Sequence, residues 1–372
     1  MTSKQKRVVV KVGSSSLTSL HGEISSKKLE KLVEQIVRLK DEGHEVLLVS
    51  SGAVAAGYRK LGFMNRPDTL PEKQASASVG QGLLIEAYSK LFLSHGYIAS
   101  QILITRSDFS DEKRYNNVRN TMNVLLKRGI IPIINENDTV TVNRLKFGDN
   151  DTLAAKVAGL IDADVLTILS DIDGLYDANP RQTPNANLIR EVNEITAEME
   201  ASAGDAGSDV GTGGMRSKLD AFKITMASGI KGFLGRADSP DILYEAISGT
   251  ARGTYFEPNA ASHTLNHKKQ WIAFNSGPEG DIIVSNESKE LIIDRKSLYP
   301  SSIYEINGRF SNGSVVRILD QEGEEIGLGV VNFSSSQLRK WKKGTNQETA
   351  ASSQAVVDRD AFVCHLELSI PL

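Results

Sequence analysis

The sequence predicts an α/β fold, a mainly parallel sheet sandwiched by helices, followed by a small C-terminal all-β barrel. Three observations carry this. Apolar strands without two-residue alternation are separated by segments of helical periodicity through roughly two thirds of the chain. Small or polar residues follow most of those strands, and the texture changes near residue 260. Strands apolar on both sides belong in sheets covered on both faces. At 372 residues the chain exceeds what one hydrophobic core usually organises, so an α/β domain over 1–260, a linker over 261–275 and a β domain over 276–372 are expected.

The elements follow in order. Arg7-Val8-Val9-Val10-Lys11-Val12 is a β-branched run ending at Gly13-Ser14-Ser15-Ser16, which reads as a buried strand entering a small-residue loop. Leu29, Leu32, Val33, Ile36, Val37 and Leu39 then recur at helical spacing, with Gly43 where a C-terminal cap belongs. Val46-Leu47-Leu48-Val49 is a second buried strand, broken by Ser50-Ser51-Gly52 and continued by Ala53-Val54-Ala55-Ala56. Further strands are expected at 102–104, 130–134 and 165–169, and helices near 73–93, 112–128 and 151–161. The polar stretch Pro258 to Thr264 makes a plausible linker. Beyond it, β-rich runs at 282–284, 291–293, 314–318 and 326–331 lie between Gly, Asn, Ser and Asp turns, the pattern of a barrel or sandwich.

Composition removes several classes of function. Hydrophobic content of 40% with 24% charged residues is that of a soluble globular protein, which argues against disorder. The polar start Met1 to Arg7 lacks the apolar region of a secretory signal, and no apolar run reaches the length of a bilayer span, so a cytoplasmic enzyme without membrane contact is expected. The single Cys364 lies in the apolar run Phe362 to Leu366 and reads as a buried structural thiol. His263 and His267 are spaced for one helix face, but no acidic motif accompanies them and no metal site is expected.

The chemistry gathers where strands end. Lys11-Val12-Gly13-Ser14-Ser15-Ser16 puts a cation near a strand end before residues small enough for backbone N–H groups to approach an anion. The Walker A spacing is absent, and by itself the lysine reads more simply as a solvated strand end. Ser50-Ser51-Gly52-Ala53 is a second small-residue loop, or simply a tight turn. Asn135-Glu136-Asn137-Asp138 places four amide and carboxylate side chains in succession after an apolar strand, where idle burial is costly and turn chemistry is the bland alternative. Gly148-Asp149-Asn150-Asp151 precedes a helix that any of them could cap. Ser170-Asp171-Ile172-Asp173 closes another strand. Gly211-Thr212-Gly213-Gly214-Met215-Arg216-Ser217-Lys218 is a Gly-rich loop that opens a helix and brings a second lysine, or a flexible connector.

The ordered set VVVKVGSSSL, VSSGAVAAG, INENDTV, GDNDTLAA, LSDIDGLY and GTGGMRSK resembles the amino acid kinase superfamily, and within it the glutamate 5-kinases, over essentially the whole chain. The C-terminal part resembles the PUA domain that many bacterial members carry. The resemblance implies an amino acid kinase domain over 1–260 and a PUA-like domain over 276–372. It implies formation of L-glutamyl 5-phosphate from glutamate, ATP and Mg2+, the first step of proline biosynthesis, with proline as feedback inhibitor. It further implies a homo-oligomer, dimer or tetramer, and coupling to the glutamyl phosphate reductase that consumes the product. By the same resemblance Lys11 contacts the phosphates, Lys218 stabilises the phosphoryl group in flight, and Asp151 holds the lysines. Ser51, Asp138 and Asn150, with Asn135 as a neighbour, match the glutamate-contacting positions. Lys11, Ser170, Asp171 and the segment Thr212, Gly213, Gly214, Met215, Arg216, Ser217 and Lys218 match the nucleotide-binding ones.

The residues suit that reaction. A glutamate side chain, with a reference pKa of about 4.3, is an ionised nucleophile at neutral pH, so alignment and positive charge matter more than a general base. Asp138 is expected to meet the α-ammonium group of the substrate. Two alternatives stand beside this: a kinase of another carboxylate, carbamate or nucleoside monophosphate, and an RNA-binding protein acting through its β domain. Charge weighs against RNA, because residues 276–372 hold 10 Lys and Arg against 14 Asp and Glu. The one basic cluster, Arg339-Lys340-Trp341-Lys342-Lys343, reads better as a solvated helix end.

Overall fold

The computed structural model describes residues 5–19, 23–141, 150–180, 183, 185–202, 214–258, 265–293, 296–342 and 354–364. The chain divides into two compact units, Met1–Asp108 with Lys113–Ala260, and Phe109–Glu112 with Ala261–Leu372. Among the described residues no helix is long and apolar enough to cross a membrane.

The chain runs β1 (Arg7–Val12), α1 (Ser26–Asp41), β2 (Glu45–Ser50), α2 (Ala53–Gly57), α3 (Leu70–Ser94), β3 (Ala99–Ile104), α4 (Arg106–Ser110), α5 (Glu112–Lys127), β4 (Ile131–Glu136), α6 (Asn150–Leu160) and β5 (Val165–Ser170). It continues through β6 (Glu191–Val192), α7 (Ala197–Ser202), α8 (Met215–Ala227), β7 (Lys231–Arg236), α9 (Ile242–Ser248) and β8 (Thr254–Phe256). These eight strands form one sheet in the order β3-β4-β2-β1-β5-β7-β8-β6. Every neighbouring pair is parallel except β7 with β8. The mainly parallel sheet read from the strand patterns is therefore present. Its central strands are apolar on both faces because both are covered: Val8, Val9, Val10, Leu47, Leu48, Leu166 and Ile168 have no exposed surface.

Strand order creates the place for a ligand. After β1 the chain turns to β2 on one side, and after β5 it turns to β7 on the other. The loops leaving β1 and β5 thus diverge, opening a crevice at the C-terminal ends of adjacent strands. Helix α1 buries the predicted stripe Leu29, Leu32, Val33, Ile36, Val37 and Leu39 against this sheet. Helices α2 and α3 cross very closely. A Cβ on Gly57 would lie 1.9 Å from the Ser76 carbonyl oxygen, and one on Gly80 would lie 1.8 Å from that of Ala53. Only glycine fits at either point.

The second unit contains α10 (His267–Gln270), β9 (Gly280–Val284), α11 (Asn286–Ile293), β10 (Ile303–Gly308), β11 (Val315–Leu319), β12 (Glu325–Val331), α12 (Ser335–Lys342) and β13 (Val357–Cys364). Among the described residues its strands are ordered β10-β9-β11-β12-β13, antiparallel apart from β9 with β11. Ile282, Val284, Val316, Ile318, Val331, Phe362 and Cys364 share its core, so the thiol is buried as expected. One expectation fails. Leu291-Ile292-Ile293 ends helix α11 and is not a strand. An apolar triplet is too short to declare a period, and the preceding Asn286 to Glu290 supplies a helical start, with Ser288 and Lys289 N–H groups donating to the Ser285 carbonyl. The basic cluster lies largely on α12, with Lys343 and also His263 outside the described residues.

Candidate active site

Lys11 is the penultimate residue of β1, in register with Val49 of β2 and Ile168 of β5. Its side chain reaches the first turn of α6, where its Nζ lies 2.5 Å from Asp151 Oδ1. Lys218, in the first turn of α8, takes the other oxygen, with Nζ to Oδ2 at 3.0 Å. The three side chains are buried, Asp151 completely and the lysines to 7% and 6% exposure. Ser217 Oγ shares its one hydrogen between the Gly214 carbonyl at 2.9 Å and Asp151 Oδ2 at 3.3 Å, tying the start of α8 to the same carboxylate. Burial pushes the Asp151 carboxyl up, but the flanking ammonium groups of Lys11 and Lys218 prevail and hold it below its ordinary value. One anion between two cations leaves a net positive charge beside the Gly13–Ser16 loop. Lys28 of α1 ties that loop down, donating to the Ser15 and Thr18 carbonyls at 2.8 Å each.

Beside the lysine pair lies a cavity of about 410 Å³ over the ends of β2 and β4. Ser51, Asn135, Asp138 and Asn150 all line it, together with Arg66 and Lys73. A hydrogen-bonded chain of side chains forms part of its wall. Asn150 Nδ2 donates to Ser51 Oγ and to Asn135 Oδ1, both at 2.9 Å, and to the Ser50 carbonyl at 3.3 Å. Asn135 Oδ1 also accepts the Glu136 backbone N–H, while its Nδ2 donates to Gln81 Oε1, each at 2.9 Å. Gly52, at φ 107°, turns the chain from β2 into α2 beside this wall, a left-handed conformation that glycine adopts without strain. Asn150 and Asp151 are consecutive on α6, so one helix end serves both the cavity and the lysine pair.

The predicted residues therefore fall into distinct groups. Lys11, Asp151, Ser217 and Lys218 meet directly, and Ser51, Asn135 and Asn150 meet directly. Asp138 lines the same cavity. Ser170 and Asp171 close β5, the strand next to β1, with Ser170 Oγ donating to Asp171 Oδ1 at 3.1 Å. Gly214 caps α8 and Met215 begins it. Arg216 pairs with Glu200 of α7 at 3.1 Å and with Asp220 of its own helix at 3.8 Å. Thr212 and Gly213 lie outside the described residues. Sequence reasoning missed Gln81, Arg66 and Lys73. Arg66 sits in a turn-like stretch ending Pro67-Asp68, and neither Gln81 nor Lys73 stands out from the polar and small residues around it in α3.

What the arrangement offers is a buried pair of cations, held apart by one carboxylate, at the edge of a polar cavity sized for a small molecule. Such a site can align an anion with a phosphorylated ligand and meet developing negative charge. Among the described residues no group of three or more His, Cys, Asp or Glu side chains is placed to hold a metal.

Comparison with known proteins is consistent with that chemistry. The profile of the amino acid kinase family matches residues 6–235, and that of the PUA domain matches residues 280–352. The chain is 92% identical to "Glutamate 5-kinase 2" of Bacillus licheniformis, with all of both chains covered. It is 70% identical to "Glutamate 5-kinase 2" of Bacillus subtilis, covering 99% of this chain and 98% of that one. Among solved structures, carbamate kinase from Giardia lamblia bound to AMP-PNP superposes with a TM-score of 0.51 at 17% identity, covering 70% of this chain and 100% of that chain, a likeness of fold.

Proposed function

The chain belongs to the amino acid kinase family, as one of its glutamate 5-kinases, and from that premise we propose that it moves the terminal phosphoryl group of ATP onto the side-chain carboxylate of free glutamate, forming L-glutamyl 5-phosphate. The observation that carries the mechanism is the bridge from Lys11 to Lys218 through Asp151. The attacking carboxylate is already ionised at neutral pH, so no side chain has to remove a proton. The barrier lies in bringing one anion to another and in the charge spread over the transferring group. Asp151 suppresses repulsion between the two ammonium groups and sets their separation. When the phosphates arrive, Lys11 and Lys218 present donors to them without reorganisation, Lys218 toward the group in flight.

Substrate placement follows from the neighbouring cavity. With the γ-carboxylate directed to the lysine pair, Ser51, Asn150 and Asn135 form the wall along the substrate and Asp138 meets its α-ammonium. Ser170, Asp171 and the segment Thr212–Lys218 are read as the residues that hold the nucleotide. Mg2+ fits a phosphate-borne role, since it commonly binds through one or two carboxylates and substrate phosphates, without a dedicated protein cage. It would neutralise charge on the phosphates. The product enters proline biosynthesis; proline as inhibitor, a homo-oligomer, a cytoplasmic setting and a reductase that consumes the acyl phosphate belong to the same reading. So do the domain limits 1–260 and 276–372 with a linker between them.

Trapping with hydroxylamine tests the reading. Glutamate, ATP and Mg2+ should yield the hydroxamate of glutamate, with less formed when proline is added. A chain that makes no hydroxamate from glutamate, yet does so from another carboxylate, would contradict it.

A further inference from the structure

We infer that Gln81 of α3 is a positioning residue for the substrate wall, fixing the direction of an amide chain so that the Ser51 hydroxyl donates its hydrogen into the cavity. This rests on the reading of the cavity as the glutamate site. Gln81 is only 8% exposed, and a buried amide is costly unless it is hydrogen-bonded. Its Oε1 accepts from Asn135 Nδ2 at 2.9 Å.

Each link has one allowed polarity. The Glu136 backbone N–H can only donate, so the atom of Asn135 facing it is the oxygen, and the amide NH2 of Asn135 faces Gln81. Asn150 must then turn Nδ2 to that same oxygen; its two hydrogens go to the 2.9 Å contacts, Asn135 Oδ1 and Ser51 Oγ, with the Ser50 carbonyl at 3.3 Å sharing one of them. Ser51 Oγ consequently receives a hydrogen from Asn150 and keeps its own to give. A donor at that place suits a carboxylate group of glutamate, whose oxygens only accept. Gln81 closes the far end of the chain. Without an acceptor there, Asn135 either leaves its buried NH2 unpaired or turns it against the Glu136 N–H and the Asn150 amide.

None of these links touches Asp151, Lys11 or Lys218, so the consequence should appear in glutamate binding and leave nucleotide binding alone. Gln81→Met keeps the length of the side chain and removes the oxygen, whereas Gln81→Glu keeps an acceptor. For Gln81→Met the glutamate KM should rise roughly tenfold, about 1.4 kcal/mol, with the ATP KM within about twofold of the parent. Gln81→Glu should hold its glutamate KM within about threefold. A merely structural role would lower the melting temperature and the active fraction, neither of which moves the KM of the folded enzyme. An unchanged glutamate KM in Gln81→Met, an equal rise in the ATP KM, or equal damage from Gln81→Glu would overturn the inference. Should Gln81→Met fail to fold, Gln81→Asn, which stays polar and is one methylene too short, is read by the same criteria. A parent chain that does not turn over glutamate removes the functional reading itself, and this inference with it.

Discussion

Replacing Asp151 with Asn would remove the carboxylate that both Lys11 and Lys218 pair with and leave the two ammonium groups close together, each less than a tenth exposed. Removing one member of a buried ionic set typically costs about 3–5 kcal/mol, so a denaturant titration at pH 7 should show Asp151→Asn destabilised on that scale. Its pH dependence has a definite sign. The folded carboxyl titrates below the ordinary 3.8, so its contribution is complete above that value and is lost as pH falls through the depressed one. The stability gap between parent and variant should therefore narrow as pH falls below 3.8 and close below the depressed value; a gap that does not narrow in acid would show that the pair does not depend on this charge. Asp138 yields a specificity prediction at the same scale. N-acetylglutamate lacks the ammonium that Asp138 is proposed to meet, and discrimination should reach about 10²-fold or more in kcat/KM, because a site built to pair with a group rejects an analogue that lacks it. Comparable efficiency with both substrates would remove Asp138 from that role.

Helix ends and crossings explain why those residues act together. Helix α6 contributes Asn150 to the cavity and Asp151 to the lysines from one turn, so its position sets both halves of the site. The wall of the cavity depends in turn on the crossing of α2 with α3. Gly80→Ala would place a methyl group 1.8 Å from the Ala53 carbonyl, in space that backbone already fills. We expect a loss of about 2 kcal/mol or more in stability, as for other overpacked cores, together with a raised glutamate KM, because α2 follows directly on Ser51 and Gly52. Unchanged stability would mean that the crossing can relax. Elements with strong periods were legible in the sequence: the β1, β2 and β5 strands and the α1 stripe announce themselves through runs of Val, Leu and Ile. Helix α3 did not reveal its buried face, since its central Ala-Ser-Ala-Ser-Val-Gly-Gln-Gly run mixes small and polar residues without a stripe. That is why nothing in the sequence singles Gln81 out.

At the scale of the molecule, the sheet order β3-β4-β2-β1-β5-β7-β8-β6 turns scattered loops into one site. Local sequence marked each loop, because glycine, serine and clustered amides at strand ends have few idle uses. It could not mark their partners: Lys11 and Lys218 lie far apart in the chain, and only the packing of α6 with α8 against β1 makes Asp151 common to both. Resemblance to the glutamate 5-kinases supplied that pairing in advance, whereas composition and spacing did not. The C-terminal unit was legible as β-rich, yet its helix α11 was hidden behind an apolar triplet. The central claim is that Lys218 serves the phosphoryl group during transfer. A rapid-quench measurement of the first turnover, with ATP and glutamate both saturating, tests it in Lys218→Ala. The account predicts transfer slowed by about 10²-fold or more, with the glutamate KM changed little. A first turnover as fast as the parent's would contradict it.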